Sequence, residues 1–204
     1  MWHILLHCVK EKAGKTINQL FNMNWKTLAS TYLFTDEWLT IRADKCQLPN
    51  GKIIEPYYVY EFPNWVCAVA LTKENKVVMV RQYRHALGQT IFELPGGCVD
   101  KADGSFEVAI ARELLEETGY AFERFEFLCT TSANPSTNNN TMHIFLATGG
   151  ELVKEQQLDE AEDIEVHLFS IAEVKQLIRE NKLLQSMHVT GLLYGLEKMG
   201  ELKY

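Results

Sequence analysis

Between residues 28 and 94 apolar side chains fall in alternating or short blocks of strand length, broken by polar turns. Tyr32-Leu33-Phe34 precedes Trp38-Leu39-Thr40-Ile41-Arg42-Ala43, a partly alternating stretch that predicts a strand. Pro49-Asn50-Gly51 marks a tight hairpin, because Asn-Gly supplies the positive φ angles such a turn needs. Residues 53–62 then return as a β-rich segment. Trp65-Val66-Cys67-Ala68-Val69-Ala70-Leu71 is almost continuously apolar, as a strand buried on both faces would be. A polar turn at 73–76 leads into Val77-Val78-Met79-Val80. Residues 106–118 break this rhythm and predict a helix, with Asp103-Gly104-Ser105 as its start and Gly119 as its stop. Strands resume at 125–131, 143–148 and 164–169, and residues 171–199 predict two helices broken near Asn181-Lys182. Strands, one embedded helix and terminal helices make an α+β chain.

Composition adds few restrictions. With 204 residues, 47% of them hydrophobic and 23% charged, the chain can bury a core without disulfides or metal. Its net charge of −7 argues against non-specific binding to nucleic acid or to an anionic membrane. The five cysteines, Cys8, Cys46, Cys67, Cys98 and Cys129, lack zinc-site spacing and are expected to be reduced thiols of a cytoplasmic protein. Residues 1–22 contain a short apolar run interrupted by His3 and His7, without the flanks of a secretory signal. A coherent strand pattern begins just after Met23, so 1–22 is taken as an extension.

The chemistry concentrates in Arg112-Glu113-Leu114-Leu115-Glu116-Glu117-Thr118-Gly119-Tyr120. At about 100° per residue, Glu113, Glu116 and Glu117 share one stripe of the helix. Val108, Ile110, Ala111, Leu114 and Leu115 occupy the remaining arc, so the carboxylates are expected opposite the buried side. Like charges at these spacings repel. The stripe is therefore either a solvated acidic face or a site for a hard divalent cation such as Mg²⁺ or Mn²⁺, which prefers oxygen ligands. Ahead of the helix, Glu93-Leu94-Pro95-Gly96-Gly97 has glycines that let backbone carbonyls approach a metal.

Loop and helix together resemble the signature of the Nudix hydrolases: Gly, five residues, Glu, seven residues, Arg-Glu, aliphatic, any, Glu-Glu, any, Gly, aliphatic. Arg112 to Gly119 follow the pattern, and Tyr120 takes the last aliphatic place. The first Glu is replaced: Asp103 stands there, one residue further from Arg112 than the pattern has it. The strand-rich stretch ahead of the box, the Arg81-Gln82-Tyr83-Arg84 segment and Pro135 resemble the ADP-ribose and nucleotide-sugar pyrophosphatase branch. Where that branch commonly has Ser-Pro-Gly and an acidic residue, this chain has Asn134-Pro135-Ser136-Thr137-Asn138-Asn139-Asn140.

The resemblance implies a Nudix-type α/β/α sandwich with a mixed sheet over residues 63–204, preceded by a β-rich dimerisation region at 23–62. It implies Mg²⁺-dependent (or Mn²⁺-dependent) hydrolysis of a nucleoside diphosphate-sugar, such as ADP-ribose giving AMP and ribose 5-phosphate, by a cytoplasmic homodimer. Glu113, Glu116, Glu117 and the Gly96 carbonyl are the expected metal ligands, with Arg112 beside them in the catalytic set. Arg81, Arg84, Glu93, Pro135 and Asn138 are the expected substrate contacts. A general base is expected from the acidic loop, at Glu160 or Glu162. His143 and His167 are expected to be structural. The alternatives are another Nudix substrate, GDP-mannose or a nucleoside triphosphate, and a non-catalytic nucleotide sensor.

Overall fold

The computed structural model describes residues 23–36, 38–160 and 162–202; the expected extension, and Cys8 with it, lies outside them. The described residues form two compact units that divide between Tyr60 and Glu61.

In the first unit, β1 (Lys26–Thr35), β2 (Thr40–Gln47) and β3 (Ile53–Glu61) form a three-stranded sheet in that order. The β2–β3 turn falls at the expected Asn50-Gly51, with Gly51 at φ 85° and the Leu48 N–H donating to the Lys52 carbonyl at 2.9 Å. Trp25 sets its ring edge-on to Tyr57, and Arg42 pairs with the buried Asp44 at 3.0 Å. Every residue of β1 is exposed, including the successive Tyr32, Leu33 and Phe34.

The second unit is built on a mixed sheet of β4 (Trp65–Thr72), β5 (Lys76–Arg84), β6 (Gln89–Glu93), β7 (Tyr120–Ala121), β8 (Arg124–Thr131), β9 (Met142–Leu152) and β10 (Ile164–Ser170). Its order is β10-β5-β4-β9-β7, with β6 added to β5 and β8 to β9. β4 pairs parallel to β9, and the other pairings are antiparallel. The continuous apolar run of β4 is covered on both faces. Val66, Ala68 and Ala70 pack with Ile110 and Leu114 of α1 (Phe106–Thr118). Cys67, Val69 and Leu71 pack with Val174 of α2 (Ile171–Arg179) and Leu192 of α3 (Ser186–Lys198). One helix over one face and two over the other make the expected α/β/α sandwich. α3 approaches the sheet closely: a Cβ on Gly191 would stand 2.8 Å from Ile144, and one on Gly195 3.0 Å from Val69.

The bounds of α1 follow from its caps. The Ser105 hydroxyl accepts from the Val108 N–H, and Gly119 closes the helix in the left-handed region at φ 74°. Its buried face differs from the expected one. Ala109, Ile110, Glu113, Leu114, Glu117 and Thr118 are buried, whereas Val108 is 53% exposed. Two of the three glutamates thus lie within the buried stripe rather than opposite it, because the loop after β6 covers that side of the helix. Cys46, Cys67, Cys98 and Cys129 are free thiols, Cys98 the exposed one. Among the described residues no helix is long and apolar enough to cross a membrane.

Candidate active site

Arg112, in the middle of α1, joins that helix to the loop before it. Its Nε and Nη2 donate to the two oxygens of Asp103 at 2.9 and 3.0 Å, and Nη2 also reaches the Cys98 carbonyl. Its Nη1 donates to Glu113 and to Glu116, both at 3.0 Å. Asp103 in turn accepts the Asp100 N–H at 2.7 Å. The residue that replaces the first Glu of the pattern therefore anchors the loop to Arg112. The guanidinium bonds hold the Asp103 carboxyl below its ordinary value, and Asp103 holds Arg112 well above its own.

The loop from Leu94 to Cys98 presses on Glu113 and Glu117. Glu117, 3% exposed, accepts the Gly96 N–H at 2.7 Å. Gly96 has φ 145°, and a Cβ there would stand 2.2 Å from the Val66 carbonyl oxygen. A Cβ on Gly97 would lie 2.8 Å from the Glu113 carboxylate, so the missing side chain is the space that carboxylate fills. Burial pushes the Glu113 carboxyl up to about 7 and that of Glu117 up to about 8. Each is raised further by neighbouring acids, Glu162 among them.

Arg81 and Arg84 stand three positions apart on β5, so the period of two sends them to opposite faces. Arg84 shares its face with Glu93 and donates to that carboxylate at 2.8 Å; it also lies close enough to Glu117 to favour its charged form. Glu93 is 1% exposed. Arg81 instead pairs with Glu165 of β10 at 2.8 Å, beside His167 and Phe92. A residue that sequence reasoning passed over, His188 of α3, joins the Arg84 side. Its Nδ1 accepts the Leu94 N–H at 3.1 Å. Nδ1 also lies 4.0 Å from Glu93, but burial pushes the imidazole down to about 3 and leaves it neutral, so the contact is not an ion pair. Its one sequence signal is a histidine among the apolar positions of the last helix.

The acidic loop is moored to α1. The Gln157 N–H donates to the Glu116 carbonyl at 2.9 Å, and Gln156 Nε2 bridges the carbonyls of Glu117 and Ile164 at 2.6 and 3.1 Å. Within it, Glu162 accepts the Asp159 N–H at 3.1 Å, and Glu160 is exposed. Pro135 sits in an exposed turn, and Asn138 accepts from the Thr137 hydroxyl. The next asparagines bind backbone: Asn139 accepts the Phe62 N–H, and Asn140 donates to the Pro63 carbonyl. His143 stacks on Phe106 at 3.6 Å between Thr130 and Thr141.

Among the described residues, no three acidic, histidine or cysteine side chains already converge as a closed cation cage. Glu113 and Glu116 are drawn to Arg112, and Glu117 to the Gly96 amide. The donor chemistry nevertheless suits a hard divalent cation. Every candidate ligand is an oxygen, and two carboxylates are buried where burial disfavours their charge, a cost that such a cation removes.

Comparison with known proteins adds to this geometry. The nucleoside diphosphate sugar hydrolase N-terminal domain matches residues 25–60, and the NUDIX domain matches residues 62–187. The chain is 33% identical over 172 residues to a methanol dehydrogenase activator of Bacillus methanolicus, covering 83% of this chain and 91% of that protein. It is 29% identical to an ADP-ribose pyrophosphatase of Bacillus subtilis (strain 168), again over 83% of this chain and 91% of the other. The crystal structure of an ADP compounds hydrolase shares the fold with a TM-score of 0.75 at 20% identity, covering 88% of this chain and 97% of that one.

Proposed function

Because this chain belongs to the Nudix hydrolase family, we propose that it cleaves the diphosphate bond of a nucleoside diphosphate-sugar, ADP-ribose giving AMP and ribose 5-phosphate, with Mg²⁺ or Mn²⁺ as cofactor. The observation that carries this reading is the pair of buried glutamates on α1, Glu113 against Gly97 and Glu117 on the Gly96 amide. A Bacillus subtilis relative named ADP-ribose pyrophosphatase and the match of residues 25–60 to a nucleoside diphosphate sugar hydrolase domain support the substrate class.

In this reading Glu113, Glu116 and Glu117, with the Gly96 carbonyl, hold the cation. When bound there, it neutralises diphosphate charge and makes a water more acidic. Arg112 fixes Glu113 and Glu116 on one guanidinium nitrogen, so both carboxylates keep a set direction. Arg84, oriented by Glu93, supplies positive charge on the same face for a phosphate. Glu162 is the favoured proton acceptor over Glu160, since its charge is felt by both buried glutamates. Water adds to phosphorus, the diphosphate P–O bond breaks, and Glu162 takes the water proton. Pro135 and Asn138 are assigned to the sugar or base, and Arg81, turned to the opposite face of the sheet and paired with Glu165, is left out of this site.

The uncovered β1, with apolar side chains on both faces, supports a homodimer through residues 23–62. The reading is of a cytoplasmic enzyme. Incubating the protein and Mg²⁺ with ADP-ribose, other nucleoside diphosphate-sugars and nucleoside triphosphates, and resolving products by chromatography, tests it. AMP and ribose 5-phosphate are expected. Binding without products would favour a sensor, and triphosphate cleavage alone would overturn the substrate class.

A further inference from the structure

We infer that His188, one residue beyond the NUDIX match, is a positioning residue that fixes the backbone of the catalytic loop and through it the carboxylate of Glu117. The inference rests on the proposed hydrolase reading and deepens it at the same site. The segment from Leu94 to Gly97 has four backbone attachments. The Pro95 and Gly97 carbonyls accept from the Ala68 and Val66 amides at 3.1 and 2.9 Å. The Gly96 N–H is held by Glu117, and the Leu94 N–H by His188 Nδ1. Pro95 has no N–H to offer. Two amide hydrogens thus orient the loop from outside the sheet, one taken by a candidate ligand and the other by α3.

The geometry around His188 suits an anchor. The residue is 6% exposed and neutral, so its lone pair is committed to one donor. It lies one turn before Gly191, whose missing side chain lets α3 settle on Ile144; a Cβ there would also meet Leu94 at 3.4 Å. A helix pressed this close to the sheet gives the imidazole little room to shift. Replacing it by an apolar residue leaves the Leu94 amide buried without an acceptor, and the backbone is then free to turn. Gly96 is two residues along, so that turn moves the amide that orients Glu117.

Three substitutions in the full chain test this: His188→Leu removes the acceptor, His188→Asn keeps an oxygen near the Nδ1 position, and His188→Gln places it further out. For His188→Leu we expect kcat to fall about 10–100-fold, with KM within about twofold of the parent. In the metal-free protein, NMR should show the Leu94 and Gly96 amides exchanging at least about tenfold faster, with Val78 in β5 unchanged. His188→Asn should restore both readouts, and His188→Gln should not. Unchanged Gly96 exchange in His188→Leu overturns the inference, as does an Asn variant as impaired as the Leu variant. If His188→Leu does not fold, the Asn–Gln comparison decides, and equal behaviour of that pair overturns it. A parent protein that hydrolyses no nucleoside diphosphate-sugar sinks the functional reading alone, because the exchange measurement needs no turnover.

Discussion

Arg112 makes five hydrogen bonds, one for each guanidinium N–H, to Asp103, Glu113, Glu116 and the Cys98 carbonyl. A lysine, with three donors on a point charge, has no equivalent geometry. Glu117 is held differently, by a single backbone amide, so its carboxylate is the candidate ligand most easily isolated by substitution. Glu117→Gln keeps the volume and should leave thermal melting nearly unchanged while lowering Mg²⁺-dependent turnover on the order of 100-fold or more. Turnover within a few-fold of the parent would remove Glu117 from the ligand set. His188 gives a prediction about acid stability. Its imidazole refuses a proton down to about pH 3, while the unfolded chain accepts one near 6.5. Between those values the unfolded state binds more protons, so stability falls as the pH is lowered through that window. Arg84 reinforces the effect, and Glu93, already paired with Arg84, does not relieve it. Urea midpoints at pH 7 and pH 4.5 should show a smaller acid loss in His188→Asn than in the parent, the gap being on the order of a few kcal/mol.

At the scale of elements, the loop from Leu94 to Cys98 bears on both stability and the proposed chemistry, and its two glycines separate them. Gly96→Ala puts a Cβ into the Val66 carbonyl at an unfavourable φ, and neither side can give way. It should cost about 2 kcal/mol or more in a denaturation curve. Gly97→Ala meets the tip of the Glu113 side chain, which can swing aside. That variant should melt within a few degrees of the parent yet lose activity; the reverse pattern would contradict the packing described for Glu113. Much of this scale was legible in the sequence. Ser105 and Gly119 delimited α1, Asn50-Gly51 placed a hairpin, and the apolar run of β4 announced a strand buried on both faces. The burial of α1 was misjudged because an angular projection treats a helix as isolated, whereas the loop from β6 covers its glutamate side. The opposite directions of Arg81 and Arg84 follow from strand periodicity and needed only the register of β5. The bond from His188 to Leu94 joins residues 94 positions apart and leaves no local trace.

At the scale of the whole molecule, the two units pose different questions. The second has a core on both faces of its sheet, but β1 in the first leaves Leu28, Tyr32, Leu33 and Phe34 exposed. Successive residues of a strand point to opposite faces, so neither face of β1 is covered. Light scattering should give twice the chain mass of 23.4 kDa, and replacing Leu33 and Phe34 by Asp should halve it. A monomer in the unmutated protein would refute dimerisation through this sheet.

The bridge made by Gln156 reaches further than its two bonds suggest. One amide ties the last turn of α1 to the first residue of β10, and the chain between them carries Glu160 and Glu162. Through that bridge and the Gln157 amide, both ends of the acidic span are tied to the helix that carries Glu113, Glu116 and Glu117. Whatever displaces the helix terminus therefore acts on that acidic span as well.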